Sequence, residues 1–238
     1  MPDTRVHRGP NPQDAKFFAP GAINLIREAV KDFSLLLTKG YAEKSSLKLV
    51  GDRFSLTQRQ RLAVMRSACS DLQLTMRKQR ELNISELSSQ AIAIDGYNLL
   101  ITIEAALSGG FIFKGRDSCF RDLAGIHGTY RKVNETIPAL ELVGKFLKEI
   151  DVSHALWLLD SPVSNSGRLK TLIGELAKRH AWAWEIQLSI NPDVELSKTT
   201  EIVISSDSVI LDNCKRWANL AAEIIKRKLP LTKMIDLS

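Results

Sequence analysis

Three apolar runs in this chain stop at the same residue type. "AIAID" ends at Asp95, "HALWLLD" at Asp160 and "TEIVISSD" at Asp207. Each is short, bounded by polar or turn residues and rich in β-branched, leucine or aromatic side chains, which is the pattern of a buried strand. "AWEIQLS" (183–189) reads as a further strand and "TKMIDL" (232–237) as a fifth. Helical spacing fills the gaps: 98–107, a longer region over 117–150 punctuated by Gly125, Gly128 and Pro138, then "GRLKTLIGELAKRH" and "ILDNCKRWANLAAEIIKRK". Strands alternating with helices predict an α/β fold of Rossmann-like type, a mostly parallel sheet with helices on both faces. The working edge of such a sheet is the one where the strands end.

Residues before this region have another texture. "AINLIREAVKDFSLLL" and "TQRQRLAVMRSACSDLQL" carry apolar residues at helical spacing. Gly40 suits the end of the first helix, and Thr57 with Gln60 forms a capping-box pattern at the start of the second. The expectation is a basic α-helical domain over 1–85 and an α/β domain over 86–238. Charge sharpens the division. Residues 44–80 hold nine Lys and Arg against Asp52 and Asp71, a balance of +7 in a chain whose net charge is +6. Localised positive charge of this kind is the footprint of a polyanion binder. Arg59 and Arg66 are expected to point outward from one side of their helix.

If the three strands are neighbours, Asp95, Asp160 and Asp207 converge. Carboxylates on strands about 5 Å apart repel unless a cation lies between them. An all-oxygen anionic pocket suits Mg²⁺ or Mn²⁺, and such metals serve phosphodiester hydrolysis. Each Asp also has a structural role open to it. Asp95 can cap the helix that follows, Asp160 can be a turn residue, and Asp207 stands in an N-cap cluster, "SSDS".

"AIDGYNLL" resembles the first strand and turn of the PIN/NYN nuclease superfamily, and "IVISSDSVIL" resembles its fourth strand. The layout of strands and helices after residue 90 is similar as well. The likeness extends to an uncharacterised bacterial and archaeal family that joins a helical N-terminal domain to a PIN-like domain. The resemblance implies a sheet of order 3-2-1-4-5 and a metal-dependent ribonuclease-type activity on RNA. It implies Asp95 and Asp207 as metal ligands with Asp160 beside them, all three in the catalytic set, and Asn98 as a residue that orients Asp95 or touches substrate. The pattern also asks for an acid between strands one and two. Asp117, Asp122, Glu135 and Glu141 are available, and Asp117 and Asp122 are favoured because Arg116 and Arg121 surround them. The rival expectation is a non-catalytic nucleic-acid-binding or scaffold protein with the same fold, and a third is a small-molecule phosphoesterase.

Other features bear on substrate. Ser164–Gly167 precede a helix with Arg168 behind them, so Ser166 and Arg168 join Arg116 and Arg121 as expected substrate contacts. His127, Tyr130, Arg131 and Lys132 form a candidate basic and aromatic strip. Asp193, after the third strand, reads as a turn acid or a rim ligand, the turn being favoured. Cys69, Cys119 and Cys214 are too few and too separate for a disulfide framework or a zinc site. The four tryptophans read as core. Motifs for nucleotide triphosphates, dinucleotides and hydrolase elbows are absent. No run is long and apolar enough for a bilayer, and the N-terminus lacks a signal-peptide core. The expectation is a cytoplasmic protein whose partner is RNA rather than a membrane, with nothing in the sequence excluding a homo-oligomer.

Overall fold

The computed structural model of the chain describes residues 6–125 and 128–238. Its helices are α1 (Asp14–Phe17), α2 (Pro20–Thr38), α3 (Glu43–Arg53), α4 (Gln58–Ser67), α5 (Asp71–Arg80), α6 (Gly96–Leu107), α7 (Thr136–Glu149), α8 (Ser166–His180), α9 (Pro192–Lys198), α10 (Ser208–Asn213) and α11 (Leu220–Lys228). Its strands are β1 (Glu81–Leu82), β2 (Ala91–Asp95), β3 (Phe111–Lys114), β4 (Phe120–Arg121), β5 (His154–Asp160), β6 (Trp184–Ser189), β7 (Ile202–Ile204), β8 (Trp217–Ala218) and β9 (Lys233–Asp236). The fold is α/β. Six parallel strands lie in the order β1-β8-β7-β2-β5-β6, and β3, β4 and β9 make a separate small sheet.

Parallel strands covered on both faces need near-continuous apolar runs, and β2, β5 and β7 have them. Ile92, Ile94, Trp157, Leu159, Ile202 and Ile204 pack into the larger core with α6, α7, α8 and α11. Ala93, Leu158, Val203 and Trp217 pack on the other side with Leu196 of α9 and Ile210 and Leu211 of α10. That second layer is two short helices deep, so the sheet's carboxyl edge is open there.

Several elements differ from those expected. Residues 232–237 do not join the main sheet: β9 pairs with β3. The fifth position is taken by Trp217–Ala218, inside a run with helical spacing. Trp217 leaves the helix because its ring is fully buried against the sheet, and its indole Nε1 donates to the Arg77 carbonyl at 2.9 Å. The region 117–150 is helical only from Thr136, since Phe111–Lys114 and Phe120–Arg121 pair instead.

The N-terminal helices are joined closely to the rest. Ser70 caps α5 with a second capping box, which splits the expected single helix at Ala68–Ser70. The core under α2, α3 and α4 includes Phe113, Leu123, Ile235 and Leu237 from beyond residue 86, and β1 adds a strand to the main sheet. The positive charge of residues 44–80 is largely engaged within the molecule. Arg59 pairs with Asp14 and donates to the Leu123 carbonyl, Arg61 pairs with Asp52, and Arg77 pairs with Asp117 and Asp212. Arg80 donates to the Asp212 carbonyl, and Lys48 and Arg53 make surface pairs. The outward basic face expected of Arg59 is therefore corrected: Arg59, Arg77 and Arg80 tie the helical unit to later parts of the chain, while Arg53 and Arg61 pair within it. Among the described residues no helix is long and apolar enough to cross a membrane.

Candidate functional site

A groove of about 710 Å³ runs between the helical unit and the carboxyl edge of the main sheet. Asp95, Asn98, Asp122, Asp193 and Asp207 line it, facing Leu37, Met65 and Arg66 of α2 and α4.

Asp95 is the last residue of β2, and α6 begins at the next residue. Gly96 permits that abrupt change. A Cβ there would stand 2.8 Å from the Leu158 carbonyl oxygen and 2.6 Å from Leu159 Cδ2, so only glycine lets the turn pass the neighbouring strand. Gly96→Ala should therefore cost roughly 1–3 kcal/mol by overpacking, read as a lowered midpoint in urea unfolding. Asp95 makes no full capping hydrogen bond to the helix it precedes, although the Asn98 amide lies near enough to favour its charged form. It is 8% exposed, and Ser205 Oγ donates to its Oδ2 at 2.8 Å. Burial pushes its carboxyl up to about 7, with Asp207 and Asp193 adding repulsion against the help of Ser205 and the Asn98 amide. A buried carboxyl this costly to ionise, beside two other acids, is a functional-site candidate.

Strand register explains where the other acids stand. Asp95 is level with Leu158, so Asp160 lies two residues farther along β5. Ile94 is level with Ile204, so Ser205 flanks Asp95 and Asp207 lies two residues beyond. Two residues are about 6.6 Å of strand. After β7 the chain turns into α10, and Asp207 Oδ1 caps it by accepting from the Val209 and Ile210 amides. The turn brings Asp207 to the groove, and its capping and groove-lining roles coexist. β5 instead runs into an exposed loop. Asp160 is half-buried and off the groove lining, with its carboxyl raised by burial. Asp193 takes the place expected of Asp160. It sits in the first turn of α9, lines the groove, and is raised by burial and by Asp207 and Asp160. The sequence signal was present, since Asp193 also follows a strand end.

Asn98 holds the edge together. Its Oδ1 accepts from both the amide and the hydroxyl of Ser206 at 2.9 Å, tying α6 to the end of β7. The Asp207 amide donates to Ser205 Oγ, which in turn donates to Asp95. Asn98→Ala would leave the Ser206 amide unpaired and should cost roughly 1–3 kcal/mol, measurable by urea unfolding.

The remaining expected site residues fall elsewhere. Asp117 is corrected as a metal ligand. It is buried with both oxygens bound by guanidinium groups: Arg121 Nη1 at 2.8 Å on Oδ1, and Arg121 Nη2 at 2.7 Å and Arg77 Nη1 at 2.5 Å on Oδ2. Burial would raise its carboxyl, but Arg121 and Arg77 outweigh that and hold it well below the usual carboxylate range. Arg121 borders the groove, yet its remaining tie is from Nε to the Ser206 carbonyl, so it braces the site rather than awaiting substrate. Arg116 bonds Asp71 and the Cys69 carbonyl. Ser166 is buried, donating to the Asp160 and Val163 carbonyls, and Arg168 is exposed on α8 away from the groove lining. Asp122 does line the groove. It accepts from Thr102 Oγ1 at 2.9 Å and from the Ala124 amide, and burial raises its carboxyl against the pull of Arg66. Tyr130 is buried against Glu104, which removes it from any stacking surface, and His127 lies outside the described residues. The three cysteines are free and buried. Among the described residues, no three His, Cys, Asp or Glu side chains converge to hold one ion by themselves.

Residues 84–223 match the family described as a domain of unknown function (DUF5616), and residues 25–80 match one described as a protein of unknown function (DUF434). The boundary falls at β1, close to the change of texture at residue 85. An uncharacterized protein of Methanocaldococcus jannaschii is 33% identical over 204 residues, covering 84% of this chain and 97% of its own. No solved structure matches. The chain belongs to the DUF5616 family and carries a DUF434-type helical segment ahead of that domain.

Proposed function

We propose that the groove is the active site of a metal-dependent hydrolase of phosphodiester bonds, with RNA as substrate. The observation that carries this reading is Asp95. It is a buried carboxylate at the sheet's working edge, held by Ser205 and repelled by two other groove acids, while nearby Arg77 and Arg121 are bound to Asp117. The order β6-β5-β2-β7 supports it, since β2 lies between β5 and β7 as the PIN/NYN likeness implies for those four strands. The finer PIN-type order remains part of the proposal, since β8 and not β9 follows β7.

The donor set fits Mg²⁺ or Mn²⁺, which accept oxygen ligands and are commonly held by one or two carboxylates with waters and substrate phosphate completing the shell. Asp95 and Asp207 would hold the ion, and Asp193 or Asp122 would hold its waters. When bound, the ion supplies charge neutralisation and a more acidic water. The chain's own residues do the rest. Ser205 fixes one oxygen of Asp95, leaving the carboxylate in one orientation. Asn98 holds residues 205–207 in register with β2. Asp193 offers a base at the groove, and the α2–α4 wall limits water.

The test uses the full chain with end-labelled single-stranded RNA and Mn²⁺ or Mg²⁺. Wild type should cleave, and Asp95→Asn should lower the rate at least about 100-fold, more than loss of a group supporting a metal ligand costs. The absence of a ready three-carboxylate set among the described residues favours a second reading, a nucleic-acid-binding protein without catalysis. That reading prevails if wild type binds RNA, never cleaves it, and Asp95→Asn changes nothing.

A further inference from the structure

Resting on the hydrolase reading, we infer that the helical unit supplies the substrate seat of the groove. Arg66 takes a phosphate of a single strand, and Leu37, Met65 and Val209 take the adjoining nucleobase. Arg66 differs from the other arginines at this junction. Arg77 and Arg121 are buried, with donors on Asp117, Asp212 and the Ser206 carbonyl, and Arg59 is bound to Asp14. Arg66 lines the groove with its side chain 33% exposed, and its one hydrogen bond among the described residues runs from Nη1 to the Asp122 carbonyl. Among the described residues its ion-pair partner is Asp122, whose Oδ1 lies 3.8 Å from Nη1, too long for a hydrogen bond. Nε and Nη2 therefore keep donors in the fork that fits a phosphate.

The apolar side chains beside it point to the rest of the ligand. Met65 neighbours Arg66 on α4, Leu37 comes from the last turn of α2, and Val209, 59% exposed, comes from the helix that Asp207 caps. Part-buried Leu37 and Met65 and exposed Val209 beside a charged floor call for an occupant with both a flat apolar face and an anion, which is the chemistry of a nucleotide. Bases rest on such surfaces whatever their sequence. The groove's 710 Å³ is in the range of small-ligand sites, enough for a short single-stranded stretch rather than a duplex. The seat and the carboxylates share one groove, so a phosphate held at Arg66 lies on the way to Asp95 and Asp207.

The experiment measures anisotropy of a labelled single-stranded RNA oligomer on the full chain carrying Asp95→Asn, which separates binding from turnover. Adding Arg66→Ala should weaken binding about tenfold and lower the slope of log affinity against log salt by about 0.7, the value for one phosphate contact on a single strand. Arg66→Lys should keep that slope. Met65→Ala should weaken binding of the RNA but not of an abasic oligomer of equal length. Thermal melts of each variant check folding, and if Arg66→Ala melts early, Arg66→Lys and Met65→Ala decide. The seat is overturned if these variants bind like the parent, if RNA and abasic oligomers respond alike to Met65→Ala, or if a mononucleotide binds and the oligomer does not. Binding through Arg66 without cleavage by wild type would leave the seat standing and sink the hydrolase reading. Cleavage with KM unchanged in Arg66→Ala would do the reverse.

Discussion

Asp95→Asn will stabilise the metal-free protein at pH 8 while removing its response to Mn²⁺. Folding raises the carboxyl from 3.8 to about 7 by burial, with Asp207 and Asp193 adding to it. The folded chain thus holds this proton more tightly than the unfolded chain does. The stability this contributes is complete below pH 4, declines as pH rises, and is gone above about 7. The gap corresponds to about 4 kcal/mol as a ceiling. Asparagine carries no charge and still accepts from Ser205, so the variant avoids the loss. Wild type and variant should unfold alike at pH 4, diverge progressively between about pH 4 and 7, and differ by a constant amount above that, the variant being more stable by roughly 1–3 kcal/mol with a chelator present. Mn²⁺ should then raise the wild-type melting temperature at pH 8 and leave the variant's unchanged. A variant less stable than wild type at pH 8 would mean that the buried charge is already compensated. Trading stability for a poised carboxylate is what functional sites commonly do.

Asp117→Asn has the opposite effect and a comparable size. Asp117 receives both Arg77 and Arg121, and all three side chains are almost fully buried. Removing the acceptor charge leaves Arg121 buried without a carboxylate, since Arg77 alone keeps Asp212. Breaking a buried pair from one side costs roughly 3–5 kcal/mol, so urea unfolding should move to a much lower midpoint at every pH from 5 to 8. The effect should reach the groove. Arg121 Nε holds the Ser206 carbonyl while Asn98 holds the Ser206 amide and hydroxyl, so a displaced Arg121 disturbs both sides of one residue. An Asp117→Asn protein as stable as wild type would show that water or rearrangement satisfies these guanidinium groups.

The contrast between these two acids shows what was legible in the sequence. The strands β2, β5, β6 and β7 were readable because burial on both faces demands unbroken apolar runs. The aspartates at or just past the ends of three of them were readable for the same reason. Which acids share a groove was not, because that depends on register and on the direction the chain takes next. Asp160 and Asp207 stand equally far past Asp95 along their strands, yet only the turn into α10 returns one of them to the groove. Asp193 looked like a turn residue because its strand, β6, lies at the sheet's edge, two places from β2. Asp117 and Arg121, close in sequence amid other charges, looked like ligands, and only the arrival of Arg77 from α5 makes them a structural cluster. Charge counting alone could not show which arginines are engaged within the chain. The excess of arginine over residues 44–80 is answered by Asp14, Asp117 and Asp212 from distant parts of the chain. The strand formed by Trp217 and Ala218 was hidden by helical spacing on either side, and tertiary packing overrode it.

In the proposed mechanism Asp95 and Asp207 hold a divalent cation in the groove. A crystal grown or soaked with Mn²⁺ at pH 8, with anomalous scattering recorded at the manganese edge, tests it directly. The account predicts an anomalous peak about 2.1 Å from a carboxylate oxygen of Asp95, shared with Asp207 directly or through one water. A fully loaded crystal with no peak in the groove, or a peak held by other residues while Asp95 stays on Ser205 alone, would contradict it.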